Sequence, residues 1–246
     1  MSIILSIETS SELASAALLV GQHVTQRQTT GVTNHSHAIL PMVQSLLAEA
    51  GLCLSDCDAI AFGEGPGSFT GVRTACGVVQ GLAFGTGLPV IPVVTLLALA
   101  EACRRATGAV HVLTALDARM GEIYWAQYYY AHGEGVTGGW QVVSAPALCA
   151  PSMLIPVPTS ESGSFTGLRL YGSGFAAYQD QFLLSAGLMA TAQQALPEAS
   201  ALAWLADIEF NAGHCLGAGQ AQPLYLRNKI ALTIAERRAA AELKKS

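Results

Sequence analysis

The chain contains Gly65-Pro66-Gly67-Ser68-Phe69-Thr70-Gly71-Val72-Arg73 between the short apolar run Asp58–Phe62 and a longer one that ends at Phe84. The first run has the length of a buried strand and the second the length of a helix, so the glycines mark a strand-to-helix turn. Free N–H groups at such a turn can bind an anion. No Gly-Lys-Ser/Thr follows, and the spacing does not match a dinucleotide fingerprint. The pattern therefore favours a tight turn that lets the helix pack closely.

Apolar runs on both sides of this turn predict strands that alternate with helices. Short runs bounded by turn residues predict strands at Ile3–Ile7, Leu13–Val20, Val24–Thr29 and Val90–Val94. Longer runs with a helical period predict helices at Ser36–Ala50, Phe69–Phe84 and Thr95–Ala106. This alternation indicates an α/β fold.

The layout of the first strands then recurs later in the chain. Val110–Leu116 ends at Asp117 and is followed by a turn and the strand Glu122–Ala131, as Ile3–Ile7 is followed by Glu8, a turn and Leu13–Val20. The repeat predicts two lobes of related topology, of which the second is reduced. We expect an N-terminal lobe at 1–106 and a C-terminal lobe at 107–227, with a terminal helix in 228–246 packing back on the first lobe.

The composition indicates an apolar surface that another protein covers. Hydrophobic residues make up 51% of the chain and charged residues only 12%. The longest apolar run, Leu88–Ala100, contains two prolines and is shorter than the roughly 20 residues of a membrane-spanning helix. The N-terminus has no basic region like that of a signal peptide, so we expect a cytoplasmic protein. A partner is then the natural cover for the excess apolar surface.

Charge and cysteine usage argue against strong RNA binding by the chain alone and against a metal site. The net charge is −5, and the 12 lysines and arginines are scattered, whereas binding to phosphates rests on clustered cations. Cys53 and Cys57 have no second pair at zinc spacing, so the six cysteines are expected to be free thiols.

The helix after the glycine-rich turn carries the strongest sign of a partner. Gly77, Gly81 and Gly85 are four residues apart, on nearly one face, and each glycine in a helix interior costs about 0.5–1 kcal/mol relative to alanine. Close approach of another backbone would offset that cost, from within the lobe or from a partner, and we favour the partner. The predicted interface combines this face with the apolar stripe of the Ser36–Ala50 helix: Ile39, Val43, Leu46, Leu47, Arg73, Ala75, Gly77, Val78, Gly81 and Leu82.

Two enzymatic alternatives compete with this interpretation. Glu8 and Asp117 could hold a divalent ion and nucleotide phosphates across a cleft, as in an ATP-dependent phosphotransferase of the sugar-kinase type. No adenosine pocket or second phosphate loop is recognisable in the short second lobe. A peptidase using Ser68 or His37 is the other alternative, but Ser68 lacks the Gly-x-Ser-x-Gly context of a nucleophile elbow.

Several segments together resemble one family along nearly the whole chain. They are Ile4-Leu5-Ser6-Ile7-Glu8-Thr9-Ser10, Gly63–Arg73, Gly81-Leu82-Ala83, Asp117-Ala118-Arg119 and Pro223-Leu224-Tyr225-Leu226-Arg227. The sequence resembles the TsaB (YeaZ) family, which takes part in bacterial tRNA threonylcarbamoyladenosine synthesis. The resemblance implies the two-lobed, ribonuclease H-like fold of the actin, Hsp70 and sugar-kinase superfamily.

The resemblance also implies a subunit without turnover of its own. TsaB-like proteins pair with the TsaD transferase through helices of the first lobe, the ATPase TsaE joins them, and a TsaC-type enzyme makes the threonylcarbamoyl-adenylate that is transferred to tRNA. TsaD carries a His-x-x-x-His metal motif, which is absent here: the histidines are His23, His35, His37, His111, His132 and His214. We therefore expect no bound cofactor in the isolated chain, ATP or ADP only in the complex through its partners, and a homodimer when no partner is present. Glu8 stands where such proteins often have aspartate, which weakens a metal site further.

Overall fold

The computed structural model describes residues 1–31, 35–131, 139–161 and 163–227. Its strands form two sheets. They are β1 (Ile3–Glu8), β2 (Leu13–Val20), β3 (His23–Thr30), β4 (Ala59–Gly65), β5 (Val90–Val94), β6 (His111–Arg119), β7 (Glu122–Ala131), β8 (Gly139–Cys149) and β9 (Leu168–Tyr171). The helices are α1 (His35–Ala50), α2 (Phe69–Thr86), α3 (Thr95–Thr107), α4 (Ser173–Ala177), α5 (Ala186–Met189) and α6 (Ala199–Asn211).

The first sheet has the strand order β3-β2-β1-β4-β5. β1 pairs antiparallel with β2 and parallel with β4, and β4 pairs parallel with β5. Helices cover both faces of this sheet. α1 and α2 pack together on one face, where Leu5 and Ile7 point, and α6 packs on the other, where Ile4 points. Burial on both faces explains why β1 reads as an unbroken apolar run.

The second sheet repeats four of the five strands of the first, in the order β8-β7-β6-β9. Its central strand β6 pairs antiparallel with β7 and parallel with β9, as β1 does with β2 and β4. The helix α3 packs against strands of both sheets. The structure therefore confirms the predicted two-lobed α/β fold with a reduced second lobe.

The segment that holds α6 differs from the expected lobe division. We assigned 107–227 to the second lobe, but α6 packs against β1, β2, β4 and β5 of the first sheet, where Leu202 and Leu205 are buried. The sequence order misled the assignment, because α6 follows the second sheet along the chain but supplies the cover that one face of the first sheet needs. The division at 106/107 itself stays a prediction.

Two further segments bear on the expectations from sequence. β8 was not among the strands predicted from the sequence; it pairs antiparallel with β7 from Gly139 to Cys149, with two shifts of register near Gln127. The predicted terminal helix in 228–246 lies outside the described residues. Within the described residues, no helix is both long enough and apolar enough to cross a membrane.

Candidate partner-docking site

No described residue covers the glycines on the outer face of α2. A Cβ added to Gly77, Gly81 or Gly85 would meet no atom within 4 Å, and all three glycines are exposed. Nothing among the described residues packs against them, so no described neighbour within the lobe accounts for these glycines. We call the exposed strip formed by Gly77, Gly81 and Gly85 the glycine face.

Apolar side chains border the glycine face. Val78 and Leu82 are half-buried and pack against the core beneath the helix, and Phe84 is 87% exposed. The flat backbone between these side chains lets another helix approach closely, as small residues do wherever two helices pack backbone to backbone. The geometry therefore suits a partner helix.

Five residues of the predicted interface are buried in the monomer, and their assignment to a partner surface was wrong. Ile39, Val43, Leu46 and Leu47 on α1 and Ala75 on α2 have exposures of 8% or less and pack in the core against the first sheet. An apolar stripe shows that a helix buries one face, and here the lobe's own sheet provides the cover. The other five predicted residues remain at least partly exposed: Arg73, Gly77, Val78, Gly81 and Leu82.

The turn before α2 is tight, as the sequence suggested. A Cβ at Gly71 would lie 2.0 Å from the carbonyl oxygen of Thr9, and one at Gly67 would lie 2.6 Å from Ser10. The Ser68 side chain accepts a hydrogen bond from the Gly71 N–H (3.4 Å), while the Ser68 N–H donates to the Ser10 carbonyl (2.7 Å). These contacts bring α2 against the end of β1.

Arg73 projects from α2 beside two aromatic rings. Its guanidinium carbon lies 3.5 Å from the centroid of the Phe69 ring and 5.4 Å from that of Tyr225, and its Nε donates to the Tyr225 hydroxyl (2.6 Å). Neither ring was predicted from the sequence as a neighbour of Arg73. Phe69 could have been found from its i, i+4 spacing to Arg73, but Tyr225 is 152 residues away and gave no local signal.

A short extended segment brings Tyr225 to this position. The Leu224 N–H donates to the Glu64 carbonyl in the first lobe (2.7 Å), and Arg227 donates to the Ala118 carbonyl in the second lobe (3.0 Å) and pairs with Glu122. The segment thus crosses a cleft of about 600 Å³ between the lobes, lined among others by Ser11, Leu116, Asp117 and Leu226.

The two carboxylates of the phosphotransferase alternative do not meet in this cleft. Asp117 lines it, hydrogen-bonded by Tyr178 (2.7 Å) and paired with Arg119 (3.1 Å). Glu8 is fully buried beneath it, accepts from the Ser10 N–H (2.5 Å), and is not among the lining residues. Burial raises the pKa of the Glu8 carboxyl, against the opposing effect of hydrogen bonds from Ser10, Thr9 and Thr95. A buried carboxyl with a raised pKa is a poor ligand for a divalent ion.

Other candidate chemistry finds little support among the described residues. They contain no group of three His, Cys, Asp or Glu side chains arranged to hold a metal ion, and all six cysteines are free thiols. Ser68 acts as the N-cap of α2, and no hydrogen bond joins it to a described histidine. His37 is exposed on α1.

The chain matches known proteins over most of its length. Residues 20–238 match the family model described as "TsaD: tRNA N6-adenosine threonylcarbamoyltransferase". The tRNA threonylcarbamoyladenosine biosynthesis protein TsaB of Haemophilus influenzae is 37% identical, over 92% of this chain and 94% of that protein. The TsaB protein of Escherichia coli is also 37% identical, over 93% and 96% of the two chains.

Solved structures agree with these relatives. YeaZ from Pseudomonas aeruginosa superposes with a TM-score of 0.81 at 37% identity, covering 92% of this chain and all of that one. A second crystal structure, described as an uncharacterized protein with similarity to peptidase YEAZ from Pseudomonas aeruginosa, superposes with a TM-score of 0.80. With its two-lobed fold and its tight Gly65–Arg73 turn, the chain belongs to the TsaB (YeaZ) family of tRNA threonylcarbamoyladenosine biosynthesis proteins.

Proposed function

We propose that this chain is the non-catalytic subunit that binds and supports the TsaD transferase in bacterial tRNA threonylcarbamoyladenosine synthesis. The glycine face of α2 is the docking surface. The observation that carries the proposal is the open space above Gly77, Gly81 and Gly85, three helix-interior glycines that contact nothing else in the described chain.

The energetics of α2 support this assignment. Three glycines in place of alanines weaken a helix by roughly 1.5–3 kcal/mol in total, and no contact within the described lobe offsets that loss. A partner helix that packs directly on the backbone offsets it in the complex. Val78, Leu82 and Phe84 supply apolar area at the edges of the contact.

The site chemistry supports a subunit that does not catalyse. Glu8 is buried away from the cleft, the histidines lack the His-x-x-x-His spacing, and the relatives are named for the biosynthetic process. In our proposal, ATP or ADP enters the assembly through TsaD and the ATPase TsaE, and the chain meets the TsaC product and tRNA only indirectly. The assembly works in the cytoplasm, and without TsaD the same face pairs two copies of this chain.

The test replaces Gly81 with leucine. Gly81→Leu fills the middle of the glycine face, so we expect no complex with TsaD by size-exclusion chromatography, whereas the wild-type chain co-elutes with it. Leucine is a better helix former than glycine and has open space at this position. The temperature of thermal unfolding should therefore be unchanged or slightly higher than that of the wild type.

Gly187→Leu is the matched control, because Gly187 is also an exposed helical glycine with open space but lies in α5 of the second lobe. It should bind TsaD like the wild type. Failure of the wild-type chain to bind would overturn the proposed function, and normal binding by Gly81→Leu would overturn the docking surface.

A further inference from the structure

Arg73 is an exposed cation whose two terminal nitrogens have no partner among the described residues. Its Nε donates to Tyr225, and no carboxylate of the described residues lies within ion-pair distance. Five other described arginines pair with carboxylates. They are Arg27 with Glu49, Arg104 and Arg105 with Glu101, Arg119 with Asp117, and Arg227 with Glu122.

The two rings hold the guanidinium of Arg73 in a fixed position. Phe69 stacks beneath it at 3.5 Å and Tyr225 fixes its Nε, so the remaining N–H groups form an oriented fork. Holding a long side chain in place before binding removes part of the entropy that its immobilisation would cost. The exposed fractions of Phe69 and Tyr225, 39% and 43%, leave both rings partly open to a partner.

The fork lies in line with the glycine face. Arg73 precedes Gly77 by four residues and Gly81 by eight, and residues at this spacing share one side of a helix. A helix lying along the glycine face therefore meets Arg73, Phe69 and Tyr225 at one end. Arginine and aromatic side chains of this kind dominate the binding energy of many interfaces.

We infer that Arg73, held between Phe69 and Tyr225, receives a carboxylate of the subunit that docks on the glycine face. The inference rests on the proposed function and adds the chemistry that the partner must present: an aspartate or glutamate at the end of its docking helix. A guanidinium binds a carboxylate through two parallel hydrogen bonds, which fixes the register of the two helices.

A carboxylate fits the site better than the phosphates of RNA or a nucleotide. Binding to a phosphate backbone rests on several clustered cations. The arginines that line the nearby cleft, Arg119 and Arg227, already pair with Asp117 and Glu122. Arg73 is thus an arginine without a described carboxylate partner, in a chain whose net charge is −5.

The test measures the dissociation constant for purified TsaD, without tRNA or nucleotide, at low and high salt. Arg73→Gln keeps much of the stem and removes the charge, and we expect it to weaken binding about 10- to 50-fold at low salt and to flatten the salt dependence. Arg73→Lys keeps the charge but lacks the two parallel N–H groups of the guanidinium, so its loss of affinity for TsaD should be intermediate. Tyr225→Phe keeps the ring but removes the acceptor for Nε, and it should weaken binding about 2- to 5-fold.

Arg169→Gln is the matched control, since Arg169 is an exposed arginine on β9 of the second lobe, and it should bind like the wild type. Two results would overturn the inference: wild-type affinity for Arg73→Gln, or a loss confined to tRNA binding by the assembled complex. The Gly81→Leu variant separates the two proposals. If it abolishes binding while Arg73→Gln does not, the carboxylate contact is wrong and the docking face stands; if it binds normally, the docking face itself is wrong.

Discussion

Replacing Gly71 with alanine is expected to destabilise the fold by about 3 kcal/mol or more. The new Cβ would lie 2.0 Å from the carbonyl oxygen of Thr9 and 3.2 Å from the Cα of Ser10. Both are backbone atoms, so no side chain can rotate to make room, and α2 must move away from β1. Overpacking in a core costs about 1–3 kcal/mol when side chains can adjust. A helix shift also strains the hydrogen bond from the Thr9 hydroxyl to the Gly71 carbonyl. Urea unfolding followed by circular dichroism measures the loss.

Gly77→Ala, six residues further along the same helix, is the control. Its Cβ would meet nothing within 4 Å, so the change should stabilise the chain by about 0.5–1 kcal/mol through helix propensity alone. The two variants make the same chemical change in one helix, and only their surroundings differ. Equal stability of Gly71→Ala and Gly77→Ala would mean that α2 does not approach β1 as closely as described.

The sequence predicted well the elements that local pattern determines. The strands Leu13–Val20, Val90–Val94 and Glu122–Ala131 have the predicted bounds, and the helices α1, α2 and α3 differ by one or two residues at their ends. Each is a run of apolar residues whose period and turn residues are visible in a short window. The recurrence of strand, carboxylate, turn and strand at Asp117 was enough to predict a second, related lobe.

The failures concern contacts that the local pattern does not contain. β8 carries Gly139 and Pro146, which argue against a strand, and its partner β7 provides the pairing that makes it one. The stripe of Ile39, Val43, Leu46 and Leu47 shows an amphipathic helix but not whether a sheet or a partner covers it. Of the two helix faces that we assigned to a partner, only the glycine face is exposed among the described residues, and its role as an interface stays a prediction. Large apolar side chains can be buried against the lobe's own sheet. Glycines in a helix interior have no side chain to bury, so they do not contribute to a core in this way.

The other large effect concerns Glu101, whose replacement with glutamine is expected to cost roughly 3 kcal/mol at neutral pH. Glu101 is 1% exposed and accepts hydrogen bonds from Arg104 (2.9 and 2.8 Å), Arg105 (2.7 Å) and the indole N–H of Trp140 (2.9 Å). It thereby ties α3 to β8. Removing one partner of a buried ion pair costs about 3–5 kcal/mol. We expect the lower end, because Arg104 and Arg105 are 24% and 40% exposed and can partly return to water.

The Glu101 contribution should depend on pH in a defined direction. Burial alone raises the pKa of this carboxyl, but hydrogen bonds from Arg104 and Trp140 and the charges of both arginines outweigh burial and hold the pKa below its usual value. A pKa lowered by folding stabilises the native state above the unfolded pKa, near 4.5, and that stability disappears as the pH falls through the folded pKa. The difference in unfolding free energy between the wild type and Glu101→Gln should therefore be constant above about pH 5.5 and shrink towards pH 3.

The exposed pair Arg27–Glu49 provides the matched control for this prediction, because its side chains are 40% and 55% exposed. Surface ion pairs contribute about 0–1 kcal/mol, so Glu49→Gln should change stability little at pH 7. Urea titrations of all three proteins between pH 3 and 7 decide the matter, since the buried Glu8 is common to them and cancels from the differences. If Glu101→Gln and Glu49→Gln had the same effect at pH 7, the Glu101 cluster would be no better than a surface pair, and the attachment of α3 to β8 would rest on the packing of Trp140 alone.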